Sequence, residues 1–438
     1  MYKYIFSTIL ICFFITSFSQ EVDGGNGHSI ILDKSGRVWT VGSNNHGQLG
    51  TGTFENAAIP VLIESLPKIK KVSRGYNFTL AIDSVGNVWV WGANREGQLG
   101  LPAFEDEASP VKLKNCADVV AIEGGHLSSI ALKKNGTVWA WGYNLYGELG
   151  SNDKKNRNVP AQVLTIKQGN DISPHLLVPL KNIVDIKSVG SHSLALDSAG
   201  NVWGWGANCF YQISSIRSES LTTAVLIQNI PKMKAIAAGW HHSISLDSAG
   251  NIWAWGSDPS GQFKESTTKY FVKPTRFKCL PEIKKIACGS WHSLAIDVDG
   301  NLWGWGKNHY GMLGTGDTIS TSVPVKIGGV TRACTIGAGC FQSIVIDSFG
   351  KIWSFGDNPS GQLGLFDESR RLLPAEALLS VNGNLDKSKI NSLQKDKFWR
   401  SISLNNFYAF LGNNLFLSIV VFSTLILMIL FWINKKLA

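Results

Sequence analysis

The chain has 438 residues, 44% of them hydrophobic and 17% charged, with 16 Trp, 45 Gly and 7 Cys. This composition excludes a disordered or collagen-like chain, and the length exceeds what one ordinary core fills, so the interior must be divided among several units. The formal charge of +9 is carried by scattered groups such as Lys68, Lys70, Lys71, Lys154, Lys155 and Arg157, which describes a solvated surface, and no nucleic-acid partner is expected.

In chain order, Met1 to Ser19 carries one Lys, an apolar run from Ile5 to Phe18 and small residues at Ser17 and Ser19. This is the pattern of a secretory signal peptide, shorter than a membrane span, so 1–19 is read as a removable leader.

From residue 20 the chain repeats itself. Trp39, Trp89, Trp139, Trp203, Trp253, Trp303 and Trp353 stand 50, 50, 64, 50, 50 and 50 residues apart. Each is embedded in strand-like sequence, and seven such units predict an all-β, seven-bladed β-propeller over 20–379. Within a unit, Ser293-Leu294-Ala295-Ile296 and Asn301-Leu302-Trp303-Gly304-Trp305 flank Asp297-Val298-Asp299-Gly300, a hairpin whose turn uses the residues that tolerate positive φ. In Trp-x-Trp the period of two puts both indoles on one face, where they form the structural core between blades.

After each hairpin comes Gly-x-Asn-x-x-Gly-Gln-Leu-Gly, clear at 42–50, 92–100 and 356–364, then a strand opened by Pro, as at Pro324-Val325-Lys326-Ile327. No helical pattern follows these glycines, so they make turns and not a phosphate-binding loop. Together with Gly-x-x-His-Ser before the hairpin, the unit resembles the regulator of chromosome condensation repeat family over residues 22 to 379. The resemblance implies a rigid platform for protein partners; it also implies, if the ring is cytosolic, guanine-nucleotide exchange on a small GTPase, the founding member's activity.

Aligning His28 with His292 starts the ring on the strand before the first hairpin. The first blade is therefore expected to lack its Pro-led strand and to be closed by 374–379 from the other end. Residues 380–411 read as a polar linker. Leu415 to Ile433 is apolar apart from three hydroxyl residues, placing a transmembrane helix at 412–434 before a short tail, 435–438. Lys395, Lys397 and Arg400 before the span outnumber the two Lys after it, which by basic-residue counting turns the ring to the cytosol; the leader argues the opposite and decides for a single-pass, extracytoplasmic, monomeric propeller.

The six Cys beyond the leader show no repeating spacing, Cys288 reads as a small buried residue, and neither a disulfide nor a metal site follows. The long interval places a surface hairpin at about 164–178. His28, His192, His242 and His292 share one repeat position with Phe78, Ser128 and Gln342, which marks a structural hydrogen-bonding role. Asp297-x-Asp299-Gly300 lacks the later ligands of a calcium loop. No nucleophile and base, paired acids or cofactor motif is present, so an enzyme is not expected and no cofactor is assigned.

Two residues between the Gly and the His of each unit escape the pattern, and they include Tyr76, His126, Trp240, His241, Trp291 and Phe341. These are types that anchor interfaces, and as turns leaving the inner strands they belong to one face of the ring. Gly239-Trp240-His241-His242-Ser243 is similar to the sensing motif of the related plant ultraviolet-B photoreceptor, but its Arg is absent, so a partner-binding face is expected and not photoreception. The overall expectation is a membrane-anchored extracytoplasmic scaffold; the alternatives are the exchange factor, or a secreted enzyme or enzyme inhibitor.

Overall fold

The computed structural model describes residues 20–167, 176–216, 218–257 and 270–401. The expected leader, 1–19, and span, 412–434, lie outside the described residues, as does the tail, 435–438; among the described residues no helix is long and apolar enough to cross a membrane.

The described residues from 20 to 385 form seven sheets arranged as a ring; the four strands of each blade pair antiparallel in sequence order, and one sheet gains an inserted hairpin through a parallel pair. Blade one runs Glu21–Gly24, His28–Leu32, Val38–Gly42 and Ala57–Leu62. The first strands of successive blades touch one another around the centre, and Glu21–Gly24 closes the circle against Ala333–Ala338 of blade seven. In six of the seven blades an Asp locks the hairpin turn, Lys133 standing at that position in blade three. Asn301 donates its N–H and its side-chain amide to the Asp297 carboxylate, both at 2.8 Å, and Trp303 Nε1 adds a third bond at 2.9 Å. Burial pushes the Asp297 carboxyl up, but the bonds from Trp303 and Asn301 outweigh it and hold the pKa below its ordinary value.

Each of the seven apolar clusters is a seam between neighbouring blades. Ile30, Leu32, Val38 and Ile63 of blade one meet Ile69, Val72, Ala81 and Trp91 of blade two, and the other six repeat this plan. The two tryptophans of Trp-x-Trp divide the work. Trp91, Trp141, Trp205, Trp255 and Trp305 are wholly buried in seams, whereas the first Trp of each pair is half-buried in most blades and tied to its turn.

Two expectations are corrected. Blade one is complete, because Trp39 pairs with Leu62 and the Pro-led strand Ala57–Leu62 is its fourth; Arg371–Ser380 is the fourth strand of blade seven, with Trp353 opposite Glu376. A strand that follows its partner across a loop pairs with it locally, at lower closure cost than pairing with a distant end. Ring closure nevertheless uses the chain just beyond. Val381, wholly buried, donates its N–H to Gly350 of blade seven at 3.1 Å and accepts the Lys34 N–H of blade one at 2.9 Å. Leu379 and Val381 fill the seam where blade one has Val41 in place of the second Trp.

The second correction concerns the linker, where Lys387–Ser401 is an α-helix, its start capped by Asp386 Oδ1 accepting the Lys389 N–H at 2.9 Å. The expected hairpin is present as Leu164–Lys167 paired antiparallel with Leu176–Pro179; 168–175 lies outside the described residues. The six cysteines among the described residues are unbridged, with Cys116, Cys288 and Cys340 buried, and burial pushes the Cys288 thiol up to about 12.

Candidate functional site: the aromatic mouth of the ring

Gly-x-x-His is a two-residue turn joining the first and second strands of a blade. Gly25 donates its N–H to His28 C=O at 2.8 Å, and Gly239 and Gly289 do the same to His242 and His292. The imidazole folds back over the glycine, where a Cβ at Gly239 would lie 2.1 Å from His242 Cε1. Its Nε2 reaches the next blade: His192 to Ser243 at 2.9 Å, His242 to Ser293 at 3.0 Å, His292 to Ser343 at 2.9 Å and His28 to Thr79 at 3.3 Å. Ser243, Ser343 and Thr79 direct their own hydroxyl protons to the carbonyls of Gln212, Met312 and Gln48, which leaves Nε2 as the donor in His192, His292 and His28. Burial lowers the pKa of His28, His192, His242 and His292 to about 3, and the rings stay neutral. These histidines are structural, as their repeat position implied.

The two turn residues left over converge on one mouth of the channel. Backbone bonds lace the turns together: Asn26 to Tyr76, His126 to Gly190, Trp240 to Ser290 and Cys340 to Gly25, N–H to C=O, at 2.9 to 3.1 Å. Blade four contributes Gly190, and over that gap rings from blades two, three and five meet. Tyr76 and Trp240 stack with centroids 6.0 Å apart, and His126 stands edge-on to both at 4.6 and 5.7 Å. The patch continues through Trp291, 5.5 Å from Trp240 and 5.0 Å from His241. Five of the six expected residues are thus one continuous aromatic surface. The sixth, Phe341, pairs instead with Tyr310 at 5.0 Å.

The patch carries little charge. Burial lowers the pKa of His126, and burial together with Lys307 lowers His241 to about 4. Lys307 lies 3.9 Å over the Trp291 ring, a cation–π contact. Half-buried aromatic rings around a closed mouth supply flat adhesive area at low entropic cost, and the arrangement has no nucleophile with its base.

Below this mouth the channel is ionic, a feature that sequence reasoning missed. Arg74 of blade two, its side chain 4% exposed, faces Asp23 of blade one at 3.4 Å and donates to Ala338 C=O of blade seven at 2.9 Å. Lys187 pairs with Glu123, and the attraction keeps Lys187 charged against the pull of burial. These groups line a cavity of about 220 Å³ with Glu21, Lys71 and Asp185. The signal was there in Glu21-x-Asp23 and Asp185-x-Lys187, charges recurring with strand period on inner strands. Among the described residues no group of three or more His, Cys, Asp or Glu is placed to hold a metal.

Residues 105–410 match the RCC1-like domain, and 35–82, with 20–48 and 69–98, match the regulator of chromosome condensation (RCC1) repeat. Among solved structures, Prp20p from Saccharomyces cerevisiae is 25% identical with a TM-score of 0.66, covering 77% of this chain and 85% of its own. The same yeast protein with Kap60 bound gives 25% identity, a TM-score of 0.67 and coverage of 82% and 84%. Human WBSCR16, at 21% identity and a TM-score of 0.67 over 76% and 88%, shares the fold.

Proposed function

The chain belongs to the RCC1-like domain family, and on that footing we propose that its ring is a platform for a protein partner, engaged through the aromatic mouth. The carrying observation is the continuous surface of Tyr76, His126, Trp240, His241 and Trp291, at positions that the seams do not use. Similarity to Prp20p, described for its binding to Gsp1p and histones and solved with Kap60, supports protein binding as the class of activity.

The proposal includes a location. On the strength of 1–19 and 412–434 alone, the platform is extracytoplasmic and held to a membrane by one C-terminal span. Carbonate-resistant membrane association of the full chain, and digestion of the ring by protease added to intact cells, test this part. Protection of the ring in intact cells reverses the orientation and restores exchange on a small GTPase as the function to assay.

The partner test is affinity capture by wild type beside Trp240→Ala/Trp291→Ala, with the unfolding of the two compared first. A protein retained by wild type and lost by the variant identifies the partner. Equal capture by both refutes the mouth as the interface.

A further inference from the structure

The end of the ring opposite the mouth gathers cations that lie scattered in the sequence. Two kinds of segment meet there: the turn between the second and third strands of a blade, and the connection that leads to the next blade. One hydrogen bond laces them together in every blade. Ile69, Val119, Ile183, Met233, Ile283 and Ala333 donate N–H to the C=O of the turn glycines Gly36, Gly86, Gly136, Gly200, Gly250 and Gly300, and Val381 does the same to Gly350 at the closing joint, all at 2.8 to 3.2 Å.

Every connection brings one cation to this level, Lys68, Lys114, Lys181, Lys232, Lys278 or Arg332, each exposed. At the closing joint exposed Lys34 takes that place. Just inside, on the first strands, Lys70, Lys234 and Lys284 are exposed as well. Against them stand Glu64, Asp118, Glu282 and Asp299; the Asp residues that lock the turns are engaged by their own Asn and Trp partners. In the loops at the mouth end, which leave the third strands where Gly42 stands opposite His28 and at the equivalent places, acids outnumber bases among the described residues. The ring therefore has one basic face.

Three turns project an apolar side chain among these cations. Val85 is 76%, Phe349 64% and Val298 49% exposed, and the Arg332 guanidinium lies 5.8 Å over the Phe349 ring. Exposed apolar groups ringed by lysines suit the boundary between lipid headgroups and acyl chains. A nucleic-acid backbone would satisfy the lysines and leave the apolar tips in water. The chain also leaves the ring at this end, because Leu385 bridges to Leu379 and Gly383 packs on Asp33 and Arg37 of the blade-one turn.

We propose that this face rests on a membrane leaflet rich in anionic phospholipid, its cations over the headgroups and Val85, Val298 and Phe349 in the interfacial layer. This rests on the anchored reading above, which brings a membrane to the end where the chain leaves the ring, and adds what the ring does there: it holds the aromatic mouth away from the bilayer, open to a partner.

The full chain is reconstituted in vesicles of phosphatidylcholine, or of equal parts phosphatidylcholine and phosphatidylglycerol, and outward-facing rings are acetylated with an impermeant reagent. Mass spectrometry reads each lysine against Lys155 of a mouth-end loop. Labelling of Lys114, Lys232 and Lys284 should fall about fivefold or more in the anionic vesicles and recover in high salt. Lys114→Gln/Lys181→Gln/Lys232→Gln weakens seating about fivefold for each cation removed, so Lys70 and Lys284 then label as in neutral vesicles. Val85→Ser/Phe349→Ser, which changes only exposed side chains, weakens protection at unchanged charge. Equal labelling in the two kinds of vesicle overturns the proposal; so does protection of these lysines by duplex DNA where anionic vesicles give none, which assigns the face to nucleic acid. Release of the chain from neutral vesicles by carbonate defeats the anchored reading alone. The face must then still carry the chain down with anionic vesicles at low salt, and a chain left in the supernatant overturns the proposal too.

Discussion

Acid should open this ring through its histidines. His28, His192, His242 and His292 are neutral in the fold, with pKa lowered by burial from 6.5 to about 3. Once unfolded they titrate at the ordinary value. Below about pH 6.5 the unfolded chain therefore binds protons that the folded chain refuses, and stability falls as pH falls toward 3. Each such proton is worth about 1.4 kcal/mol per pH unit. His241, lowered by burial to about 4, acts in the same direction. Glu148 acts against it, because burial raises its pKa from 4.5 to about 7 and favours the folded state as acid is added; Glu21 and Glu123, also raised by burial, subtract further. A net of about three protons remains, or about 4 kcal/mol per pH unit between about pH 6 and pH 5. That is a large share of the 5–15 kcal/mol typical of a folded domain. The assay is the urea midpoint, followed by Trp fluorescence, across a pH series. His192→Gln is the diagnostic variant, because Gln342 already fills the same position in blade seven and bonds to His28 C=O at 3.0 Å. It should remove about one proton from the slope while keeping the neutral-pH midpoint within about 1 kcal/mol. A wild-type slope below one proton, or a fourfold His→Gln variant that titrates like wild type, refutes the reasoning.

The closing seam and the seam hydrogen bonds give two further expectations. Val381→Asp puts a carboxylate into the wholly buried joint between blades seven and one and should cost about 3 kcal/mol or more, read as a lowered thermal midpoint; Leu373→Ser, 58% exposed, is the neutral control, and equal midpoints for the two would show that Val381 closes nothing. Gln212 C=O accepts Trp255 Nε1 at 2.8 Å and Ser243 Oγ at 2.7 Å. Trp255→Phe leaves one donor and should cost about 1–2 kcal/mol, whereas adding Ser243→Ala orphans the carbonyl and should cost more than the two single changes together, as a double-mutant cycle on urea midpoints measures.

What was legible in the sequence follows the physics of repeats. Seven blades, the Asp-led turns, the structural histidines and the hairpin at 164–178 could be read because each is set by residues close in sequence or by a recurring register. The phase of the repeat was not, since a cyclic pattern looks the same wherever it is cut; only the pairing of Trp39 with Leu62 shows that blade one keeps its Pro-led strand. Period two told that Trp203 and Trp205 share a face but not their depth, which depends on the neighbouring blade: Trp205 Nε1 crosses the seam to Glu148 C=O at 2.8 Å, while Trp203 bonds to its own turn Asp197 at 3.1 Å. The aromatic turns were legible as a common face. That Phe341 leaves the patch for Tyr310 depends on side-chain direction across blades, which no spacing encodes.

The repeated residues are consumed by seam chemistry, and this locates function among the exceptions. Gln48, Gln98 and Gln212 each offer one carbonyl that takes two donors from the next blade, Trp Nε1 and a Ser or Thr hydroxyl; at Gln48 and Gln212 a histidine then holds the hydroxyl in place. With both lone pairs engaged, such a carbonyl has no capacity left for a ligand. Freedom remains where the repeat is silent, at the turn pairs of the mouth, or where it is broken, as at Gly190, which lets Trp240 reach Tyr76, and at Ala224, whose parallel pairing with Thr165 adds the inserted hairpin to the sheet of blade four. Substitution at a seam should therefore change stability and leave binding intact in the molecules that still fold, while substitution at Trp240 should do the reverse. A seam variant that folded normally yet lost partner binding would break this division, because it would mean that the seams transmit a shape change to the mouth instead of holding it rigid.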